Sequence, residues 1–140
     1  MKTTKYIIKS PAKMEALGKK LARELSGGDV ILLNGELGAG KTVLCKGIAK
    51  GLKVPAQVVS PTFTIMNEYF GTYKFCHFDA YRLSNADEAA EAGLTDFIGA
   101  QDTVCAVEWW ENIRELFGDS TIQVTIEKIS DKVREVTVLR

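Results

Sequence analysis

The sequence predicts an α/β fold, a three-layer domain whose mixed central sheet includes antiparallel hairpins. Three observations carry that reading. A buried apolar run, Val30-Ile31-Leu32-Leu33, passes into a glycine-rich turn and then into helical spacing from Val43 to Leu52. A second continuous run, Val104 to Val107, has the composition of a central strand covered on both faces. Two later stretches alternate instead, Ile122, Val124 and Ile126, then Val136 and Val138, as half-buried strands do.

The elements follow in order. Lys5 to Lys9 reads as a short strand. Ser10 and Pro11 supply an N-cap and a first-turn proline for a helix whose apolar face is Met14, Leu17, Leu21 and Leu25, with Gly27-Gly28 as its stop. After the Val30 strand, a helix from Lys41 to about Leu52 buries Leu44, Ile48 and Leu52, and Val54-Pro55 breaks it. Val58-Val59 opens an extended segment that Ser60-Pro61-Thr62 interrupts. It resumes from Phe63 to Phe70 and turns at Gly71-Thr72 into Tyr73 to Asp79, as a hairpin. Ser84-Asn85-Ala86-Asp87 fits a capping box for an acidic helix through Ala92, which Gly93 stops. Asp102 to Glu108 is the buried strand, a short helix runs to Phe117, and two strands close the chain around Ile129-Ser130-Asp131.

Composition excludes several classes. The 140 residues are read as a single domain, 1–140, with enough chain to bury about two-thirds of its unfolded surface. No apolar run approaches the roughly 20 residues of a membrane span, and Met-Lys-Thr-Thr-Lys leads into only two isoleucines, not a signal-peptide core. A cytoplasmic location is expected. Cys45, Cys76 and Cys105 stand singly, spaced for neither disulfides nor a metal, and read as buried small hydrophobes. Eighteen basic and eighteen acidic side chains cancel, so any nucleic acid is expected to be reached through a partner.

The chemistry centres on Asn34 to Cys45. Gly35, Gly40, Lys41 and Thr42 satisfy the G-x-x-x-x-G-K-S/T phosphate-binding loop. In such a loop backbone N–H groups wrap phosphates, a lysine reaches the terminal ones and a hydroxyl meets Mg2+. Gly38, Ala39, Gly40, Lys41, Thr42 and Val43 are therefore the nucleotide-binding candidates, in a P-loop NTPase-like fold. Such a loop needs an acid near Mg2+. Glu108 closes the apolar strand where such an acid belongs, and with Thr42 it is a candidate metal ligand. Asp79 closes another strand, with His77 and Tyr81 on its face by the two-residue period. With Lys41 and Glu108, Asp79 makes up the catalytic candidates. The lone histidine reads as a structural imidazole. Arg82 pairs with a phosphate or an acid. Ser60-Pro61-Thr62 is either a switch segment, with Thr62 the sensor of the third phosphate, or a bulged strand start. Trp109-Trp110 is packing or a nucleotide or partner contact, and the Ser10-Pro11 region is a candidate lining for a base pocket.

Gly-Glu-Leu-Gly-Ala-Gly-Lys-Thr (35–42), Ser-Pro-Thr-Phe-Thr (60–64), His-Phe-Asp-Ala-Tyr-Arg-Leu (77–83), Glu-Ala-Gly-Leu (91–94) and Val-Glu-Trp (107–109) follow one another in the order and spacing of a known family. Over nearly its whole length the chain resembles TsaE, formerly YjeE, the bacterial ATPase of tRNA threonylcarbamoyladenosine biosynthesis. The resemblance implies ATP as ligand, ADP as product and Mg2+ as cofactor. Lys41 is then on the phosphates, Thr42 on Mg2+, Thr62 in a switch-I-like segment, Asp79 in a switch-II-like one and Glu108 the Mg2+-associated acid, with Trp109 beside it. It also implies a basic residue of the last hairpin near the nucleotide, Lys132 or Arg134. The implied partner is a TsaB–TsaD pair, on which ATP turnover supports repeated modification of adenosine 37. The tRNA is contacted only through that pair, no membrane is involved, and the free chain is a monomer. The family usually has proline after Glu-Trp, where this chain has Trp110. The competing reading is a small-molecule or nucleotide kinase. Against it, residues 84–100 are acidic and contain no arginine for a lid.

Overall fold

A computed structural model describes residues 2–36, 38–55, 57–59 and 65–140. Among these residues seven strands form one mixed sheet: β1 (Thr3–Ile8), β2 (Val30–Asn34), β3 (Met66–Phe70), β4 (Lys74–Asp79), β5 (Thr103–Glu108), β6 (Ile122–Lys128) and β7 (Arg134–Leu139), in the order β1-β7-β6-β2-β5-β4-β3. The inner pairs β6-β2, β2-β5 and β5-β4 are parallel, and the outer pairs β1-β7, β7-β6 and β4-β3 are antiparallel.

Side-chain alternation along β2 divides the core. Ile31 and Leu33 face helices α1 (Pro11–Ala22) and α2 (Lys41–Gly51). Val30 and Leu32 face Phe78, Leu94 and Ile113 on the opposite side, where α3 (Ala86–Glu91) contributes Ala89. This is the expected three-layer arrangement. α1 and α2 press together through small residues: a β-carbon at Gly18 would strike the Leu44 carbonyl, and one at Gly47 the Glu15 carbonyl. Such close backbone approach fixes α2, and the loop before it, against the sheet.

Local chemistry explains most boundaries. Ser10 Oγ accepts from Lys13 N at 3.1 Å and Pro11 opens α1. The expected run to Gly27-Gly28 does not occur, because α1 ends at Ala22. Arg23, Glu24 and Leu25 donate to carbonyls three residues back, so the last turn tightens while Leu25 stays buried. The two glycines instead lead the chain across to β5, where Gly28 N donates to Thr103 O at 2.8 Å. At α3 the cap is displaced by one residue: Asn85, not Ser84, caps Glu88 N, and the Glu88 carboxylate accepts from Ser84 N at 2.9 Å. The helix expected after β5 is a kinked 3-10 segment, Trp110–Leu116. The three cysteines are buried and free, as their spacing predicts. Cys76 and Cys105 are direct neighbours in register on β4 and β5, and their hydrogen bond, then burial, pushes the Cys105 thiol up.

Candidate functional site

β2 and α2 hold the glycine-rich loop between them. Gly38 and Gly40 adopt left-handed φ values of 81° and 115°, where a side chain would be strained. Gly40 is the N-cap of α2, whose first turn has neither a capping side chain nor an acid. The open N–H groups and the positive end of the helix dipole therefore face the loop with no acid in the helix's own first turn, an arrangement that favours anions.

Lys41 folds back over its own loop, its Nζ donating to Gly35 O at 2.7 Å and standing 3.4 Å from Glu108 Oε1. Glu108 ends β5, in register with Leu33 on β2 and Asp79 on β4. Three parallel strands thus end together beside the loop. Burial raises the Glu108 carboxyl, but the hydrogen bond and charge of His77, then Lys41, outweigh it and hold the group below its ordinary value. His77 lies wholly buried with Nε2 2.7 Å from Glu108 Oε2. Burial works against its charge, yet the Cys45 sulfur, 3.9 Å from Nε2, and Glu108 push it up to about 10. The result is a buried imidazolium–carboxylate pair behind the loop. The histidine packs in the core against Glu108 but is not fully satisfied: its Nδ1 has no partner among the described atoms.

Asp79 is partly exposed at the end of β4, its Oδ1 accepting from Tyr81 N at 3.0 Å, while Ala80 N donates to Glu108 O at 3.0 Å. Tyr81 lies beyond the strand and is exposed, its ring edge-on to Trp109 with centroids 5.0 Å apart. Trp109 takes a left-handed φ of 57° and its ring centroid is 5.9 Å from Lys41 Nζ. That turn aims Trp110 back at β2, where its Nε1 donates to Asn34 Oδ1 at 2.8 Å. Arg82 is exposed and has no ion pair with a described residue. Thr62, with Ser60 and Pro61, lies outside the described residues, as does Leu37 of the loop.

A cavity of about 440 Å³ opens beside the loop, lined by Gly38, Ala39, Gly40 and Val43 on one side and by Ser10, Pro11, Lys132 and Arg134 on the other. Both expectations for this flank, the Ser10-Pro11 region and the basic hairpin, thus meet at one wall. Arg134 holds the loop directly, its Nε donating to Ala39 O at 3.1 Å while Nη1 bonds Ser130 O and Asp131 O. Three contacts escaped sequence reasoning: Trp110 to Asn34, Arg134 to Ala39 and Cys45 to His77. Each joins distant segments, and no local pattern signals them.

Fold and loop together define a P-loop α/β protein. The family model for threonylcarbamoyl adenosine biosynthesis protein TsaE matches residues 8–136, and the chain belongs to the TsaE family. Curated relatives bearing the name tRNA threonylcarbamoyladenosine biosynthesis protein TsaE include that of Bacillus subtilis, 40% identical over 98% of this chain and 85% of the relative. Those of Treponema pallidum and Streptomyces coelicolor are 34% and 39% identical, covering 86% and 89% of this chain and 89% and 88% of theirs. The crystal structure of Bacillus subtilis YdiB superposes with a TM-score of 0.83 at 36% identity, covering 98% of this chain and 84% of that one. TsaE proteins take part in tRNA threonylcarbamoyladenosine biosynthesis. Among the described residues no helix is long and apolar enough to cross a membrane.

Proposed function

We propose that the chain is the ATP-binding and ATP-hydrolysing component of this biosynthesis, a Mg2+-dependent ATPase that acts on a TsaB–TsaD pair to support repeated modification of adenosine 37. One observation carries the reading: Lys41, at the mouth of an anion-ready loop, lies 3.4 Å from the buried carboxylate of Glu108. That pair matches the division of labour phosphoryl chemistry needs, a cation for the terminal phosphates and an acid beside them.

Residues present fit the absent groups. Among the described residues, none beyond its chain neighbours has an atom within 4 Å of where a β-carbon at Gly38 would stand, which leaves the loop room for phosphates. Thr42 and Glu108 offer the hard oxygen donors that Mg2+ takes. When bound, Mg2+ neutralises charge on the phosphate oxygens. The protein's own part is positional. Lys41 exchanges the Gly35 carbonyl for phosphate, His77 holds the Glu108 carboxylate ionised and oriented, and the cavity beside Val43 and Ser10 receives the rest of the nucleotide. Asp79, one strand over, orients the attacking water. Thr62 is the sensor of the third phosphate and Asp79 the switch residue beside Glu108, and hydrolysis changes affinity for the partner. The short acidic α3 and the turn after it supply no arginine lid, which favours this reading over a kinase.

The deciding experiment measures ATP turnover alone and after adding a TsaB–TsaD pair. Slow turnover that rises on mixing is expected, with Glu108→Ala abolishing the rise. Turnover indifferent to the pair would reject the partnership, and a Glu108→Ala protein as active as the parent would reject the assigned acid.

A further inference from the structure

The neutral charge of the whole chain conceals a segregation. Residues 2–23 contain seven lysines and arginines and one acid, Glu15, a net charge of +6 balanced by −6 in the remainder. Glu15 is itself occupied, 2.7 Å from Lys50 Nζ on α2. The basic segment is β1 and α1; β1 is the sheet edge beyond β7 and β6, away from β2, β5 and β4, while the first turn of α1 reaches the cavity beside the loop.

Among the described residues β1 is an edge strand with one partner, β7. Lys2 and Arg140 exchange both backbone hydrogen bonds, at 2.9 and 3.0 Å. Alternation along an antiparallel pair then turns the N–H and C=O groups of Thr4, Tyr6 and Ile8 towards β7, and those of Thr3, Lys5 and Ile7 outward. Beside this edge runs a groove of about 320 Å³, between β1 and the Lys13, Ala16, Leu17, Lys20 stripe of α1. Its floor is apolar, and Lys9, Lys13 and Lys20 stand around it. The Lys20 ammonium is 5.0 Å over the Tyr6 ring, holding its charge at the groove.

We infer that the outward edge of β1 with the lysine-rimmed groove of α1 is a docking site for an extended acidic segment of a partner protein, which adds to the sheet as an eighth strand. Main-chain pairing supplies the contact, alternate apolar side chains enter the groove, and the acids between them meet the lysines. Charge selects the occupant. Charge disfavours a second copy of the chain, because β1 edges paired about Lys5 or about Ile7 set lysine opposite lysine, the usual protection of an edge strand. A nucleic acid would satisfy the lysines but has no use for the outward amides or the apolar floor.

An N-acetylated octapeptide alternating glutamate and valine, labelled with a fluorophore, tests this by anisotropy on the full chain, beside a single-stranded RNA octamer. The expected result is saturable peptide binding that protects the Lys5 and Ile7 amides from hydrogen exchange. Lys13→Glu with Lys20→Glu should weaken it by about tenfold or more, the sum of two rim charges reversed. Ile7→Pro should weaken it comparably, because it removes an outward N–H and leaves the β7 bonds intact. Should Ile7→Pro fail to fold, protection of the same amides in the unmodified chain decides whether the edge is used. Absence of peptide binding overturns the proposal. So does RNA binding as tight as the peptide's that responds to charge reversal while Lys5 and Ile7 remain unprotected.

Discussion

His77 and Glu108 face each other across neighbouring parallel strands, imidazole nitrogen to carboxylate oxygen at 2.7 Å, with the histidine wholly shielded from water. The residue that directs the candidate acid is therefore one strand away and cannot exchange with solvent. Removing it leaves Glu108 with Lys41 as its one remaining ion-pair partner among the described residues. His77→Ala is expected to cost about 3 kcal/mol, the scale of a buried pair broken on one side. His77→Gln, which keeps a donor, should recover part of this. Urea unfolding measures both, and a His77→Ala midpoint equal to the parent's would contradict the pairing.

The same pair sets the pH profile. His77 is raised in the folded chain, so its stabilising contribution is complete below its ordinary value of 6.5 and is lost as pH rises towards about 10. Glu108 is lowered, so its contribution is present above 4.5 and is lost as pH falls through the folded value. Stability should be flat between these limits and fall on either side. In His77→Gln the alkaline fall should shrink. Denaturation midpoints across the pH range show whether it does.

Gly47 lies where α1 and α2 touch. A methyl group at this position strikes the Glu15 carbonyl, which belongs to a helix backbone and cannot swing aside. Gly47→Ala should therefore destabilise the fold by about 1 to 3 kcal/mol, although alanine is the better helix former. Thermal unfolding would refute this if the variant matched or exceeded the parent.

Trp110 replaces the proline usual in the family, and its indole N–H reaches the residue that ends β2. Trp110→Phe keeps most of the ring and loses the hydrogen bond, an expected loss of about 1 kcal/mol. Because Asn34 leads directly into Gly35, nucleotide affinity should weaken with stability. Titration calorimetry with ATP would detect it, and unchanged affinity would separate the tryptophan from the loop.

Local order was readable from the chain alone. Gly35 to Thr42 carry their motif in adjacent residues, Ser10-Pro11 announce a cap, and the apolar run ending in Glu108 gives both strand and strand end. The failures were also local: hydrophobic spacing continued to Leu25 although the hydrogen bonds had already tightened after Ala22, and the cap of α3 lay one residue beyond the pattern. What could not be read depends on strand order. Sequence put His77 and Asp79 on one face of a strand, but only the β2-β5-β4 arrangement sets them beside Glu108. Trp110 and Arg134 meet their partners across 76 and 95 positions, separations at which no periodicity speaks.

The hold of Arg134 on Ala39 bears on how the protein is made. Every residue of the loop leaves the ribosome early, while both strands flanking β2 and the arginine that grips the loop come from position 103 onward. A nascent chain halted before the last hairpin would display the whole motif without its shape. The shaping of the loop is thus postponed until translation is nearly complete, and a C-terminal truncation at Lys128 should abolish ATP binding, read by titration calorimetry, although it leaves the motif untouched.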